Sequence, residues 1–101
     1  MFAWVALMSI LTVDTWKLRS GRESHFLQHC GALSPEKLVL FRDLEEQSLF
    51  WSPEKWESRA TLEAWKTGSA YKSAVAQVEV HVAEHFTHVM EEVPGFPSRR
   101  G

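Results

Sequence analysis

Three histidines near the end of the chain are the first candidates for a chemical cluster. His81, His85 and His88 lie in one short segment, with Glu84 between them. On a helix His81 and His85 would share a face, as helical metal ligands four residues apart do. On a strand they would also share a face, farther apart, with His88 on the opposite one. Because no second ligand set such as paired cysteines accompanies them, we predict solvated or core-edge histidines and no metal site.

Two other residues have side chains suited to acid–base chemistry. Asp14 lies in an apolar stretch, and a carboxylate on the inner face of a strand would be unusual enough to mark a functional site. His25 precedes Phe26, and an unperturbed imidazole titrates near pH ~6.5, which suits proton removal from a phenol or quinol. Both are candidate catalytic residues, provided that their side chains face a pocket.

Aromatic residues are abundant, with five Trp and six Phe in 101 residues. Trp65 is predicted either to wall a pocket, with its indole N–H as a donor, or to pack in the core. Trp56 is predicted to be structural, because it ends a strand. Aromatic residues also occur in the predicted strands, at Phe41, Phe50 and Trp51. Those whose side chains face the helices could line a cavity, but the sequence does not show which face of the sheet that is.

Composition excludes several classes of protein. The formal net charge of −2, from 11 basic and 13 acidic residues, argues against a nucleic-acid partner, which would require a clustered positive surface. Cys30 is the single cysteine, so no intrachain disulfide can form, and a reducing, cytoplasmic location is expected. Cys30 itself is predicted to fill the core.

The start of the chain is apolar but does not predict a membrane protein. Residues 1–13 lack a positively charged region and a small-residue cleavage pattern, and they are too short to span a bilayer. Residues 1–7 are predicted to be an extension before an alternative start at Met8, or the beginning of the first strand. One domain is then predicted over residues 8–93, followed by a loose tail over residues 94–101.

Periodicity and capping signals predict four strands and three helices. Ser20 and Glu23 form a plausible capping box, and Gly31 is placed to end the first helix. Pro53 requires an edge, a bulge or a break in its strand, since proline cannot donate to the ladder. The predicted strands are 9–18, a buried 37–42, 48–56, and one starting between 78 and 85 and ending near 93; the helices are 21–30, 59–66 and one opening at Ser69.

This order is that of a ferredoxin-like, split β-α-β fold of the α+β class. It consists of an antiparallel sheet with the helices on one face. The other face of the sheet would expose aromatic and aliphatic residues to water, so a symmetric homodimer is expected.

Three segments resemble the antibiotic biosynthesis monooxygenase family of dimeric α+β barrels. The segments are Leu40-Phe-Arg-Asp-Leu-Glu45, Trp56-Glu-Ser-Arg-Ala-Thr-Leu-Glu-Ala-Trp65, and Leu18-Arg-Ser-Gly-Arg-Glu-Ser-His-Phe26, the last of which is similar to the family's turn into its first helix. The resemblance covers residues 8–93. It implies a homodimer in which each subunit keeps a pocket between sheet and helices.

The resemblance implies an oxygenase or oxidase that acts on a small aromatic or quinol-like substrate without a cofactor. Trp65, Phe41 and Trp51 would contact the substrate, and Tyr71 would join Asp14 and His25 as a catalytic residue. The alternative is a non-catalytic module that binds a small ligand. Haem degradation is disfavoured, because that branch of the family uses an Asn on its first strand, and this chain contains no Asn.

Overall fold

A computed structural model describes residues 10–93 and Gly95. The predicted extension at 1–7 and nearly all of the predicted tail at 94–101 lie outside these residues. The elements are β1 (Ile10–Leu18), α1 (Glu23–His29), a 3-10 turn (Cys30–Leu33), β2 (Phe41–Arg42), β3 (Leu49–Trp56), α2 (Arg59–Lys66), α3 (Ser69–Glu79) and β4 (Val82–Glu91).

The four strands form one antiparallel sheet in the order β2-β3-β1-β4. β1 lies at the centre, paired with β3 on one side and β4 on the other. This is the predicted split β-α-β arrangement, which the structure confirms. Within the described residues no helix has the length and apolar character needed to cross a membrane.

Alternation along β1 decides which side chains reach the helices. Thr12, Asp14, Trp16 and Leu18 are buried, while the residues between them face the other side of the sheet. The pairing register places Ser52 of β3 and, on the opposite flank, Thr87 of β4 beside Asp14. The sequence therefore puts a carboxylate at the centre of the helix-covered face.

Pro53 is tolerated because β3 is partly an edge strand. β2 pairs with β3 only at Trp51 and Phe50, so β3 has no second partner at Pro53. The N–H that proline lacks is therefore not needed for a hydrogen bond to a neighbouring strand. An edge position is one of the alternatives that the sequence predicted for Pro53.

Helix α2 begins and ends as predicted, and α3 begins as predicted at Ser69. The Ser58 hydroxyl accepts a hydrogen bond from the Thr61 N–H at 3.1 Å, which caps α2. The Gly68 N–H donates to the Trp65 carbonyl at 3.1 Å, which ends α2 and allows α3 to start at once. Ala74 and Val78 form the buried stripe of α3.

The predicted cap of the first helix is wrong. α1 begins only at Glu23, with Arg22 at the N-cap position and no side-chain cap, because Gly21 forms a turn with φ +75 just before it. Glu23 instead accepts two hydrogen bonds from Arg42, at 2.8 and 2.5 Å. The α-helix ends at His29, and Gly31 lies within the following 3-10 turn.

The predicted buried strand at 37–42 is also wrong. Only Phe41 and Arg42 pair as β2, and both are exposed. Leu38 and Leu40 pack against the core from an irregular segment instead. The run therefore covers part of the core with Leu38 and Leu40 and adds only its last two residues to the sheet.

The core lies between the helix-covered face of the sheet and the helices. Phe26 packs against Trp16 and Phe50 with ring centroids 5.8 Å away in each case. Cys30 is buried among these residues, as predicted, and burial raises the pKa of its thiol. Cys30 therefore behaves as a small apolar residue.

Candidate active site

A small cavity lies between β1, β3 and the helices, and we call it the sheet–helix cavity. Its volume is about 10 Å³, which is room for about one water molecule. It is lined by Thr12, Asp14, Trp16, Leu33, Leu38, Ser52, Glu54, Trp56, Trp65, Lys66 and Tyr71. Aromatic walls thus surround two carboxyl groups, an ammonium group and a phenol.

Asp14 is held by donors from β4. Its Oδ1 lies 2.9 Å from His85 Nε2 and accepts a hydrogen bond from the Thr87 hydroxyl. Burial by itself would raise the pKa of Asp14, but the hydrogen bonds from His85 and Thr87 and the charge of Lys66 outweigh it and keep that pKa below its usual value. Asp14 is therefore an ionised carboxylate inside the domain.

Lys66 connects Asp14 with Tyr71. Its Nζ lies 4.0 Å from Asp14 Oδ1 and donates to the Tyr71 hydroxyl at 3.2 Å. The same ammonium lies 4.7 Å from the centre of the Tyr71 ring, which adds a cation–π contact. Lys66 and Tyr71 together place an ammonium group and a hydroxyl group at one corner of the cavity, where both can donate hydrogen bonds.

Trp65 forms an aromatic wall and has no free donor. Its indole N–H donates to the Leu33 carbonyl at 3.0 Å, so the predicted donor role toward a ligand does not hold. Its ring lies 6.1 Å from that of Tyr71, tilted by 60°. Trp56 also lines the cavity, and its N–H donates to the Thr12 hydroxyl at 2.9 Å.

Glu54 is the second carboxyl group of the cavity. Its Oε2 accepts a hydrogen bond from the Ser34 hydroxyl at 2.5 Å. Burial, with the nearby charge of Asp14, raises the pKa of Glu54 in spite of that hydrogen bond and of Lys66. The two carboxyls of the cavity thus differ in proton affinity, as acid and base partners in active sites do.

His85, which was predicted to be a solvated or core-edge histidine, lies at the edge of the core and belongs to this site. Its ring stacks on Trp16 with a centroid separation of 3.6 Å and an angle of 8°. β4 turns His85 and Thr87 toward the helices and His88 toward the open face. In residues 10–93 we find no group of three His, Cys, Asp or Glu side chains arranged to hold a metal ion.

The structure brings together only some of the predicted site residues. Asp14, Tyr71 and Trp65 line the sheet–helix cavity, whereas His25, Phe41 and Trp51 do not. His25 precedes the buried Phe26 by one position, about 100° around the helix, and stacks on His81 at 5.1 Å. Trp51 alternates with the buried Phe50 and Ser52, so it and its partner Phe41 lie on the open face.

Sequence reasoning missed Lys66, Glu54, Ser52 and the pairing of His85 with Asp14. A signal was present in β3, where Phe50, Ser52, Glu54 and Trp56 alternate with the outward residues. Such a strand places polar groups on its inner face next to aromatic ones. The partner of Asp14 could not have been found this way, because it depends on the register between β1 and β4.

A comparison of the sequence with known protein families gives a match over most of the chain. The model of the family described as antibiotic biosynthesis monooxygenase matches residues 9–77, more than half of the 101 residues. No curated protein matches the sequence.

Solved structures with the same fold are numerous but distant in sequence. A conserved protein from Methanosarcina mazei Go1 superposes with a TM-score of 0.75 at 12% identity, covering 88% of this chain and 97% of that one. A protein from Caulobacter crescentus CB15, provisionally named an antibiotic biosynthesis monooxygenase, gives 0.75 at 19% identity, covering 85% and 91%. A third structure, described as an antibiotic biosynthesis monooxygenase, gives 0.72 at 18% identity, covering 84% and 99%. At such identities the likeness establishes the fold alone.

Proposed function

Because this chain belongs to the antibiotic biosynthesis monooxygenase family, we propose that it oxidises a small phenol or quinol with dioxygen in the sheet–helix cavity, without a cofactor. The observation that carries the proposal is the position of Lys66 between Asp14 and Tyr71. A phenol in this corner would find a carboxylate to accept its proton and two donors to hold the resulting anion. The rings of Trp65 and Trp16 would hold the substrate flat.

The chemistry follows from the electron-rich anion. The phenol O–H proton passes to Asp14, and the anion donates electrons to dioxygen, forming a carbon–oxygen bond at a ring carbon that bears hydrogen. Protonation of the resulting peroxide and loss of water leave a carbonyl, so one phenol and one dioxygen yield one quinone and one water. Orientation of the ring and stabilisation of the anion are the contributions of the protein.

Entry of a substrate requires the cavity to widen. Its volume of about 10 Å³ is far below that of a phenol ring. Leu38 is the lining residue that lies in the irregular segment between the 3-10 turn and β2. We expect this side chain to move, since loops yield more easily than packed helices and strands.

The experiment is oxygen uptake with a panel of benzo- and naphthohydroquinones. We expect uptake above the uncatalysed rate for at least one compound, with a loss of about a hundredfold in Asp14→Asn and Lys66→Met. Glu57→Gln, an exposed carboxyl outside the cavity, serves as the matched control and should retain full activity. Uncatalysed rates for every compound would refute the oxidation.

A non-catalytic module that binds a small ligand is the second candidate, and the small volume of the cavity favours it. Such a module would bind a hydroquinone or the corresponding quinone without consuming oxygen. Isothermal titration with the same panel separates the two functions. Binding without oxygen uptake would support the module and exclude the oxidase.

We also propose that the chain functions as a homodimer built on the open face of the sheet. Phe41, Phe86 and Met90 lie on this face with 57%, 59% and 42% of their surface exposed, and Trp51 is beside them. Several large apolar side chains exposed together on one face are typical of an interaction surface, and a two-fold axis would let this face cover itself.

A further inference from the structure

The sheet–helix cavity and a second depression share a wall. This second depression, which we call the outer groove, has a volume of about 200 Å³ and is lined by His85, Glu79 and Glu84, among others. Trp16 lines both spaces. Trp16 therefore forms part of the wall between the cavity and the outer groove.

Asp14 and His85 cross this wall as a hydrogen-bonded pair. Asp14 lines the cavity with 12% of its side chain exposed, and His85 lines the groove with 27% exposed. Their Oδ1 and Nε2 atoms are 2.9 Å apart. The flat stack on Trp16 and the Thr87 hydroxyl, 3.3 Å from Nε2, fix the plane of the imidazole.

The proposed reaction needs protons to leave and enter a space that holds about one water molecule. The phenol loses a proton before dioxygen reacts, and the peroxide takes one up afterwards. Asp14 is a poor final acceptor, because its pKa is held below the usual value. An imidazole is generally the stronger base of such a pair and can exchange its proton with water.

We propose that His85 is a proton relay, which carries protons between Asp14 in the sheet–helix cavity and the water of the outer groove. This inference rests on the proposed oxidation. The transfer starts from the tautomer of His85 that carries its proton on Nδ1: Asp14 passes the proton taken from the phenol to Nε2, and the imidazolium so formed releases its Nδ1 proton to water in the groove. His85 is then left with an Nε2–H that donates to the Asp14 carboxylate. The reverse transfer brings a proton from the water of the groove, through His85 and Asp14, to the peroxide. His85 acts through Asp14 and does not touch the substrate.

One acidic residue of the groove fits this role. Glu79 of α3 lines the groove together with His85 and is exposed. Glu84 also borders the groove, but it precedes His85 on β4 and pairs with Lys17, so its side chain points to the open face of the sheet. The Glu79 carboxylate can accept the proton that is released at the outer end of the path.

The test is oxygen uptake at low buffer concentration with the hydroquinone that the wild type oxidises best. We expect His85→Ala to lose about tenfold to a hundredfold in rate, and added imidazole to restore most of that loss by reaching Asp14 through the enlarged groove. His85→Gln keeps an amide that can donate to Asp14 but cannot carry a proton. It should therefore be as slow as His85→Ala, and it provides a second variant if the alanine protein folds poorly.

Three results would overturn the relay. Full activity of His85→Gln at low buffer would mean that only the hydrogen bond to Asp14 matters. A slow His85→Ala that imidazole does not accelerate would mean a purely structural role. If the wild type itself consumes no oxygen, the proposed oxidation is refuted and the relay is refuted with it. If the wild type and both His85 variants are fully active, only the relay is refuted.

His29→Gln is the matched histidine control, because His29 lies on α1 and lines neither the cavity nor the groove.

Discussion

Single residues in this domain differ in how folding changes their affinity for protons. The fold lowers the pKa of Asp14 and of His81 and raises that of Glu54. Each direction has a local cause, namely hydrogen bonds for Asp14, and burial for His81 and Glu54. These shifts make separate predictions about stability and pH.

Glu54→Gln should stabilise the protein at neutral pH. Since the pKa of Glu54 is raised by folding, the folded state holds this proton to higher pH than the unfolded state, and stability falls as pH rises through that window. Glutamine removes the ionisation and can still accept the Ser34 hydrogen bond. Urea denaturation at pH 5 and pH 7.5 should give a gain for Glu54→Gln that is larger at pH 7.5, with Glu57→Gln unchanged. A loss of stability at both pH values would contradict this account.

His81→Gln should reduce the sensitivity of the fold to acid. Burial and the positive charges of His25, Arg22 and His29 lower the pKa of His81, so the unfolded state binds its proton first as pH falls below ~6.5. The wild type should therefore lose stability between pH 7.5 and 5 more steeply than His81→Gln in thermal denaturation. Arg22→Gln should give an intermediate slope. Equal slopes in all three proteins would refute this interpretation.

At the scale of elements, the segment between the 3-10 turn and β2 controls the volume of the cavity. Leu38→Ala removes half-buried carbon atoms from its wall, which should cost about 1–2 kcal/mol of unfolding free energy. It should also tighten the binding of a hydroquinone, because less movement is needed for entry. Isothermal titration and urea denaturation measure both effects. Leu44→Ala, at a side chain that is 92% exposed, is the control and should change neither. Weaker binding in Leu38→Ala would argue against this route of entry.

The helices and strands also show how much of the fold could be predicted from the sequence. Ser58, Gly68 and the stripe of α3 predicted their helices because caps and periodicity act locally. The prediction of a buried strand at residues 37–42 was wrong, because an apolar run of that length is compatible both with a strand and with a loop that covers the core. The site was predicted in part: Asp14, Tyr71 and Trp65 line the cavity, whereas the contacts of Asp14 with His85 and Lys66 join residues 71 and 52 positions apart and depend on register and helix packing.

At the scale of the whole molecule, the open face of the sheet is the feature to test. Phe86→Glu would bury a charge in the proposed dimer interface, so we expect a dimeric wild type and a monomeric variant in size-exclusion chromatography with light scattering. Val80→Glu, at an apolar residue that is 62% exposed but lies outside the strands, should stay dimeric. A monomeric wild type at micromolar concentration would contradict the dimer.

The stack of His85 on Trp16 gives the protein an optical signal of its own. The two rings stack with 3.6 Å between their centres. We expect the imidazolium to quench the emission of this indole more strongly than the neutral imidazole does, because a cation accepts an electron from the excited indole more readily. The emission contributed by Trp16, obtained as the difference between the wild type and Trp16→Phe, should therefore dim when His85 gains a proton. Fluorescence would then follow the charge of this residue in real time, without any added dye.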